Sequence, residues 1–158
     1  MSSRNLKDAV SELQEKIPLI IADYEALFPD RSLIITCTLR STTEQQMLFA
    51  KGRTIPPIGK KYWVTQIDGI NTFSAHNPDP IEPKAKAVDM GVLQYGKYIT
   101  DNHYYEPLLD LSRKYHLVSG WSFEDTGKDI KEILKDKKFH DSPHIQTQAK
   151  LYIPPKIG

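Results

Sequence analysis

The sequence predicts an α+β domain in which helices pack against a small, antiparallel sheet. Two observations support this fold class: a long amphipathic pattern near the N-terminus, and several short stretches rich in β-branched residues separated by proline- and glycine-containing loops. The chain has 158 residues, without an internal repeat or a low-complexity tract. We therefore expect one domain over residues 1–158, with an N-terminal helical segment over 1–30 and the main core over 31–150.

The N-terminal part predicts a helix, a strand and a second helix. Apolar residues recur at three- and four-residue steps over residues 5–28, and Pro18 within them predicts a kink or two abutting helices. Residues 33–39 are rich in β-branched side chains and predict a buried strand. Ser41, followed by Glu44, is a capping pattern for a helix that ends at Gly52.

The middle of the chain predicts three strands. Residues 62–67 form the first, and Asp68-Gly69 after them is a turn signal. Residues 74–76 and 85–92 form the other two, joined by a loop over 77–84 whose three prolines exclude regular structure.

The C-terminal part predicts a helix over residues 104–115, where Pro107 is tolerated because it lies in the first turn. A short strand over 117–121, a surface helix over 129–135 and a last strand over 143–148 follow. Trp121 is interpreted as a core or site-wall aromatic, and His103 and His116 as surface residues.

Charge and apolar content narrow the possible partners. The 21 lysines and arginines against 20 aspartates and glutamates give a net charge of +1, which does not indicate a nucleic-acid binder. No apolar run reaches membrane-spanning length, so we expect no membrane insertion. The N-terminus lacks the apolar core of a signal peptide, so synthesis in the cytoplasm is expected. The single cysteine, Cys37, is interpreted as a small buried hydrophobe.

Four residues have the chemistry of a hydrolytic metal site. Two histidines, His76 and His144, with the carboxylate Asp89 are a sufficient ligand set for a catalytic zinc, which needs three protein ligands and one open position. Asp141, three residues before His144, could handle the proton of a water molecule. Such a set is the minimum for metal-assisted hydrolysis.

The order of these motifs resembles a family of zinc peptidases that cut bacterial cell-wall peptides. This family comprises VanY-type D-alanyl-D-alanine carboxypeptidases and the L-alanyl-D-glutamate peptidases of phage endolysins. The matching positions are Arg40-Ser41, Gln45, Gly52-Arg53, Ser74-Ala75-His76, Ala87-Val88-Asp89 and Asp141-Ser142-Pro143-His144. The resemblance implies the hedgehog/DD-peptidase-like fold, with the catalytic core over residues 31–150.

The resemblance also implies roles for individual residues. Zinc would be bound by His76, Asp89 and His144, with Asp141 as the catalytic base. Arg40 would contact a substrate carboxylate or the oxygen that becomes negative, and Ser74 would contact the substrate. Gln45 and Arg53 are interpreted as residues that support the fold.

One spacing departs from the family pattern. His76 and Asp89 are 13 residues apart, which is longer than usual, and the intervening loop also contains the carboxylates Asp79 and Glu82. Either of these is an alternative second ligand. His140, four residues before His144, is open between a surface position and a contact with the site or the substrate.

The expected function is a zinc-dependent peptidase that cleaves peptidoglycan stem peptides. An endolysin that cuts between L-alanine and D-glutamate is favoured, because the missing leader is typical of enzymes that a separate pore-forming protein releases to the cell wall. A D-alanyl-D-alanine carboxypeptidase is the alternative within this class. A non-catalytic zinc- or wall-binding module is the alternative outside it.

Overall fold

The computed structural model describes residues 2–69, 74–78, 83–122, 130–135 and 141–148. Over these ranges the chain is an α+β fold with a small, open antiparallel sheet and flanking helices, which confirms the predicted fold class. The helices are α1 (Ser11–Leu27), α2 (Thr42–Ala50), α3 (Pro107–Lys114) and α4 (Ile130–Lys135). The strands are β1 (Arg31–Cys37), β2 (Ala87–Gln94), β3 (Lys97–Ile99), β4 (Val118–Ser119) and β5 (His144–Gln146).

Strand β2 is the centre of the sheet. The strand order is β1-β2-β5-β4, and β3 pairs with the C-terminal half of β2 beyond β5. Every one of these pairings is antiparallel. The alternation of side chains along β2 therefore decides which residues face the core and which face the opposite side of the sheet.

The core lies between one face of the sheet and the helices α1 and α3. Val88, Met90 and Val92 of β2 belong to this core, as does Ile145 of β5. Because side chains alternate along a strand, the neighbouring residues Asp89, His144 and Gln146 are placed on the other face. The buried face of α1 completes the core with Leu13, Ile17, Ile20 and Tyr24.

Several elements follow the sequence prediction closely. These are β1, α2 with Ser41 accepting a hydrogen bond from Glu44 N at 3.2 Å, β2, and α3 with Pro107 at its start. The strands β4 and β5 are shorter than predicted, and α4 matches the predicted surface helix over its described residues. Trp121 is buried against Leu109 and Ile133, so its core interpretation is confirmed.

For the N-terminal helix, the sequence predicts either a kink or two abutting helices at Pro18. Helix α1 runs continuously through Pro18, so two abutting helices at this proline are wrong. Burial of Ile17 and Ile20 on either side of the proline offsets the one hydrogen bond that it removes. The interruption lies earlier, between a 3-10 turn at Leu6–Asp8 and Ser11, where the backbone of Ala9 pairs with Ala85.

Two predicted strands are wrong. Tyr62 ends a 3-10 turn that begins at Lys60, and residues 63–67 form an irregular segment without a sheet partner among the described residues. Residues 74–76 belong to a turn, closed by a hydrogen bond from Asn77 N to Ser74 O at 3.0 Å. Strand β3 was missed, since the tight turn before it places Tyr95 as well as Gly96 at positive φ.

No helix within the described ranges is both long and apolar enough to span a membrane.

Candidate metal centre

Three neighbouring strands place Cys37, Asp89 and His144 in one row across the sheet. Asp89 of β2 is opposite Cys37 of β1 on one side and opposite His144 of β5 on the other. Directly opposed residues of antiparallel strands point to the same face. The sheet register therefore brings a thiol, a carboxylate and an imidazole together on the face away from the core.

The turn over residues 74–77 supplies the second imidazole. Asn77 is buried and holds this turn against the segment between β1 and α2, donating to Arg40 O at 2.9 Å and accepting from Ser74 N at 3.0 Å. His76 is 3% exposed. Its Nδ1 donates to the carbonyl of Thr38 at 2.7 Å, which leaves Nε2 to face Asp89 Oδ1 at 3.2 Å.

A side chain two residues further along β5 orients His144. Its Nε2 donates to Gln146 Oε1 at 2.8 Å, and its Nδ1 lies 3.2 Å from Asp89 Oδ1. Each imidazole thus has one nitrogen held by a neighbour and the other directed at the same carboxylate oxygen. Partners of this kind fix the tautomer and ring orientation of metal-binding histidines.

The described residues form two groupings that could hold a metal ion: Cys37 with His76 and Asp89, and Asp89 with Asp141 and His144. Asp89 belongs to both. Its Oδ1 and the Nε2 of His76 are buried and have no hydrogen-bond partner within the described chain, although they face each other. Two buried groups of this kind need a positive charge between them, which either a proton on His76 or a metal cation supplies. The donor set therefore fits a metal.

Asp141 enters the site from a turn before β5. The turn is closed by a hydrogen bond from His144 N to Asp141 O at 3.1 Å. It places Asp141 Oδ2 3.7 Å from His144 Nδ1, with the Asp141 side chain 45% exposed. Gly120 packs closely against this turn, and a Cβ at this position would overlap the Asp141 carbonyl oxygen. Asp141 is therefore both a turn residue and a carboxylate at the site.

Arg40 and Ser74 complete the wall around these groups. Arg40 donates through Nη1 to Gln45 Oε1 at 2.9 Å, and its buried Nε has no partner among the described residues. Ser74 Oγ accepts a hydrogen bond from His76 N at 3.2 Å, so this hydroxyl also supports the turn that carries His76.

For three side chains of the site, the neighbouring charges and burial shift the pKa in opposite directions. Burial lowers the pKa of His76, but Asp89 and Cys37 outweigh this effect and raise it to about 10. Burial raises the pKa of Asp89, whereas the two imidazoles hold it well below its ordinary value. The pKa of the Cys37 thiol is likewise lowered overall, since His76 and Arg40 outweigh burial.

Asp141 is the exception in this group. Desolvation raises the pKa of its carboxyl above the ordinary value, and the nearby charge of His144 only partly offsets it. This carboxyl is therefore shifted in the direction that a proton acceptor near neutral pH requires.

All six residues that the sequence analysis assigned to the site line one cleft of about 410 Å³: Arg40, Ser74, His76, Asp89, Asp141 and His144. The alternative ligands Asp79 and Glu82, as well as His140, lie outside the described residues. His103, whose side chain is 76% exposed, and His116 are on the surface as predicted.

Sequence reasoning missed three features of this site. Cys37 is buried as predicted, but its Sγ lies 3.7 Å from His76 Nδ1 and is not part of the main core cluster. The hydrogen bond to the Thr38 carbonyl could not be predicted from the sequence, because every residue carries a backbone carbonyl. The contact with Gln146 could have been predicted, because Gln146 follows His144 by two residues on a predicted strand, and residues two apart on a strand share a face.

Neither a protein-family sequence model nor a curated protein matches this chain.

Proposed function

We propose that the protein is a zinc-dependent peptidase of bacterial cell-wall stem peptides, which cleaves the bond between L-alanine and D-glutamate. One observation carries the hydrolytic part of the proposal. Two imidazole nitrogens lie 3.2 Å from one carboxylate oxygen in an open cleft, and a second carboxylate, Asp141, stands beside them.

His76, Asp89 and His144 would hold the zinc ion. Imidazole nitrogen and carboxylate oxygen are ligands that zinc accepts, and a site with three protein ligands keeps a position open. Bound zinc would lower the pKa of its water and polarise a substrate carbonyl. Thr38 and Gln146 fix the two imidazoles so that the required nitrogens face the metal position.

Asp141 would accept a proton from the attacking water and return it to the leaving amine. The 45% exposed side chain reaches into the cleft, where both transfers would take place. The guanidinium of Arg40 lines the same cleft and is permanently charged, so it would hold a substrate carboxylate or stabilise the developing oxyanion. Ser74, in the turn that also carries His76, would contact the substrate.

The substrate class rests on the ordered motifs that resemble cell-wall peptidases. The same motifs are compatible with a D-alanyl-D-alanine carboxypeptidase, in which Arg40 would hold the terminal carboxylate of the substrate. The two activities differ in their products. Purified stem peptides incubated with zinc-loaded protein should yield fragments cut between L-alanine and D-glutamate, as weighed by mass spectrometry. Free D-alanine as the sole product would show carboxypeptidase activity and contradict the endopeptidase assignment.

A non-catalytic zinc-binding module is the second candidate, and the grouping of Cys37 with His76 and Asp89 favours it. A thiolate ligand is typical of structural zinc sites, which have no open position. Substitution of cobalt for zinc distinguishes the candidates, because a bound thiolate gives a charge-transfer absorption that nitrogen and oxygen ligands lack. We expect a cobalt spectrum without this band, unchanged in Cys37→Ala, together with peptide cleavage.

A further inference from the structure

The segment from Gln45 within α2 to Ile67 has an unusual composition. Residues 45–67 contain four cations (Lys51, Arg53, Lys60 and Lys61) and no aspartate or glutamate, whereas basic and acidic residues are nearly balanced over the whole chain. Exposed large apolar residues also concentrate here: Met47, Ile55, Ile58, Tyr62, Trp63 and Val64. Grouped exposed apolar residues with a single sign of charge are typical of binding surfaces. We call residues 51–67 the basic wall.

The basic wall borders a second cavity that continues from the metal cleft. This cavity has a volume of about 660 Å³, and Lys60 and Trp63 line it. It shares Val64, Thr65, Ile67 and Asp141 with the cleft that contains the imidazoles. A ligand that lies along this cavity can therefore extend into the metal cleft.

Internal contacts hold the basic wall in place. The guanidinium of Arg53 stacks between the rings of Phe49 and Trp63, 3.7 and 3.9 Å from their centroids, and also donates to Thr65 O. Gly52, at φ +81°, permits the close approach of Trp63. Arg53 thus supports the fold, as the sequence analysis expected, and it fixes the ring that lines the cavity.

Buried Gln45 connects the wall to the metal centre. Its Nε2 donates to Ile67 O at 2.8 Å, and its Oε1 accepts from Arg40 Nη1 at 2.9 Å. Gln45 therefore links Ile67, at the end of the basic wall, to Arg40 in the metal cleft. A surface held by internal contacts of this kind loses less conformational entropy when a ligand binds.

Lys60 is the one cation among the described residues that line the second cavity, and Asp141 is the one anion, at the side shared with the metal cleft. Its Nζ lies 5.8 Å from the centroid of the Trp63 ring. Within the described residues, neither Lys60 nor Lys61 makes an ion pair with a carboxylate. An ammonium beside an exposed aromatic ring matches a ligand that carries a carboxylate next to an apolar group.

We infer that this second cavity is a subsite for an acidic residue of a peptide whose other part lies at the metal. The inference rests on the proposed function and adds a determinant of specificity to it: a carboxylate binds Lys60, and the adjoining aliphatic part packs on Trp63. A peptide is favoured over a nucleic acid, because one lysine lines the cavity and nucleic-acid affinity depends on many phosphate contacts.

Binding to metal-free protein tests the subsite without requiring turnover. The probes are a stem peptide with its glutamate carboxylate free and the same peptide with this carboxylate amidated, both titrated by calorimetry into chelator-treated protein. We expect the wild type to bind the free acid about tenfold more tightly than the amide. Lys60→Gln should reduce this preference to about twofold, and Trp63→Ala should weaken both peptides. Lys97→Gln, at an exposed position on β3, is the matched control and should retain the full preference.

The outcomes separate this inference from the proposed function. Preferential, Lys60-dependent binding without cleavage by the zinc-loaded protein supports the subsite and contradicts the peptidase. Cleavage with equal affinity of the wild type for acid and amide overturns the subsite alone. An undiminished preference in Lys60→Gln, or Lys60-dependent binding to phosphatidylglycerol vesicles without peptide binding, also overturns it.

Discussion

Asp89 lies directly opposite His144 in the pairing of β2 with β5, and its Oδ1 is 3.2 Å from His144 Nδ1. The same oxygen is 3.2 Å from Nε2 of His76, which comes from a turn outside the sheet. Asp89 is thus the group on which both imidazoles converge. The register of β2 with β5 fixes the contact with His144, and the hydrogen bonds from Asn77 to the segment between β1 and α2 fix the contact with His76.

Removal of His76 should abolish stoichiometric metal binding. His76→Ala deletes one of the three proposed ligands, so zinc affinity should fall by more than the roughly 10- to 100-fold that follows loss of an outer partner. Metal content after dialysis, measured by mass spectrometry, reports this loss. His103→Ala is the control, because His103 is exposed and, within the described ranges, forms an ion pair only with Glu106, at 3.2 Å. One zinc per chain retained in His76→Ala would remove this residue from the ligand set.

Asp141→Asn should retain the metal and lose turnover. The amide keeps the size of the side chain, but it cannot accept a proton, so kcat on stem peptides should fall by about 10² to 10⁴. Zinc content should stay at the wild-type level, since the three proposed ligands remain. Asp110→Asn on the exposed surface of α3 serves as the control and should be fully active. Unchanged kcat in Asp141→Asn would show that this carboxylate is not the base.

Loss of the Gln146 contact should weaken metal binding while the ligands remain. Gln146→Leu removes the acceptor that holds Nε2 of His144, so the ring can take orientations that do not face Asp89. We expect zinc affinity to decrease by about 10- to 100-fold in competition with a chromophoric chelator. Gln148→Leu, at an exposed position two residues later, should bind as the wild type does. Equal affinities of the two variants would contradict an orienting role.

The elements with strong local patterns were predictable from the sequence. The buried face of α1 follows from three- and four-residue spacing, and the start of α2 follows from the Ser41 cap. Residues 62–67 were wrongly assigned as a strand, because their residue types suit a strand while the sheet offers them no partner. Local propensity cannot reveal that the stacked side chain of Arg53 holds this segment instead.

The candidate site was predictable where a motif carried it. His144 and Asp141 are close in sequence, and a turn unites them. Cys37 could not be placed, because its position beside Asp89 depends on the register of β1 with β2, which is a property of the folded sheet. At the end of an apolar strand, a cysteine has the same sequence signature as a core residue.

The loss of stability on acidification should include a contribution from Asp23. Its carboxylate accepts hydrogen bonds from Lys114 Nζ at 2.7 Å and Tyr115 OH at 2.6 Å, which hold its pKa below the ordinary value of 3.8 and connect α1 to the end of α3. A carboxyl with a lowered pKa stabilises the fold above its unfolded pKa, and this contribution is lost as the pH falls through the folded value.

Comparison with Asp23→Asn isolates this effect. The free energy of unfolding in urea should be higher for the wild type at neutral pH by a small amount, since the pair is exposed to solvent. The difference should shrink below about pH 4, where the wild-type carboxyl begins to take up its proton. A difference that stays constant down to pH 2, or that grows there, would contradict the assignment.

Gly120 should be required for the position of Asp141. A Cβ at Gly120 would overlap the Asp141 carbonyl oxygen and lie 2.7 Å from its carbonyl carbon, so Gly120→Ala must displace the turn that carries Asp141 and starts β5. Overpacking of this kind costs roughly 1–3 kcal/mol of stability. We also expect kcat to fall by at least about tenfold at unchanged zinc content, since a small misplacement of a catalytic group has effects of this order or larger. Gly96→Ala is the control, because Gly96 has φ +75° and a Cβ added there would meet no atom within 4 Å, so this variant adds backbone strain far from the site. If both variants lose stability and neither loses kcat, Gly120 has a structural role only.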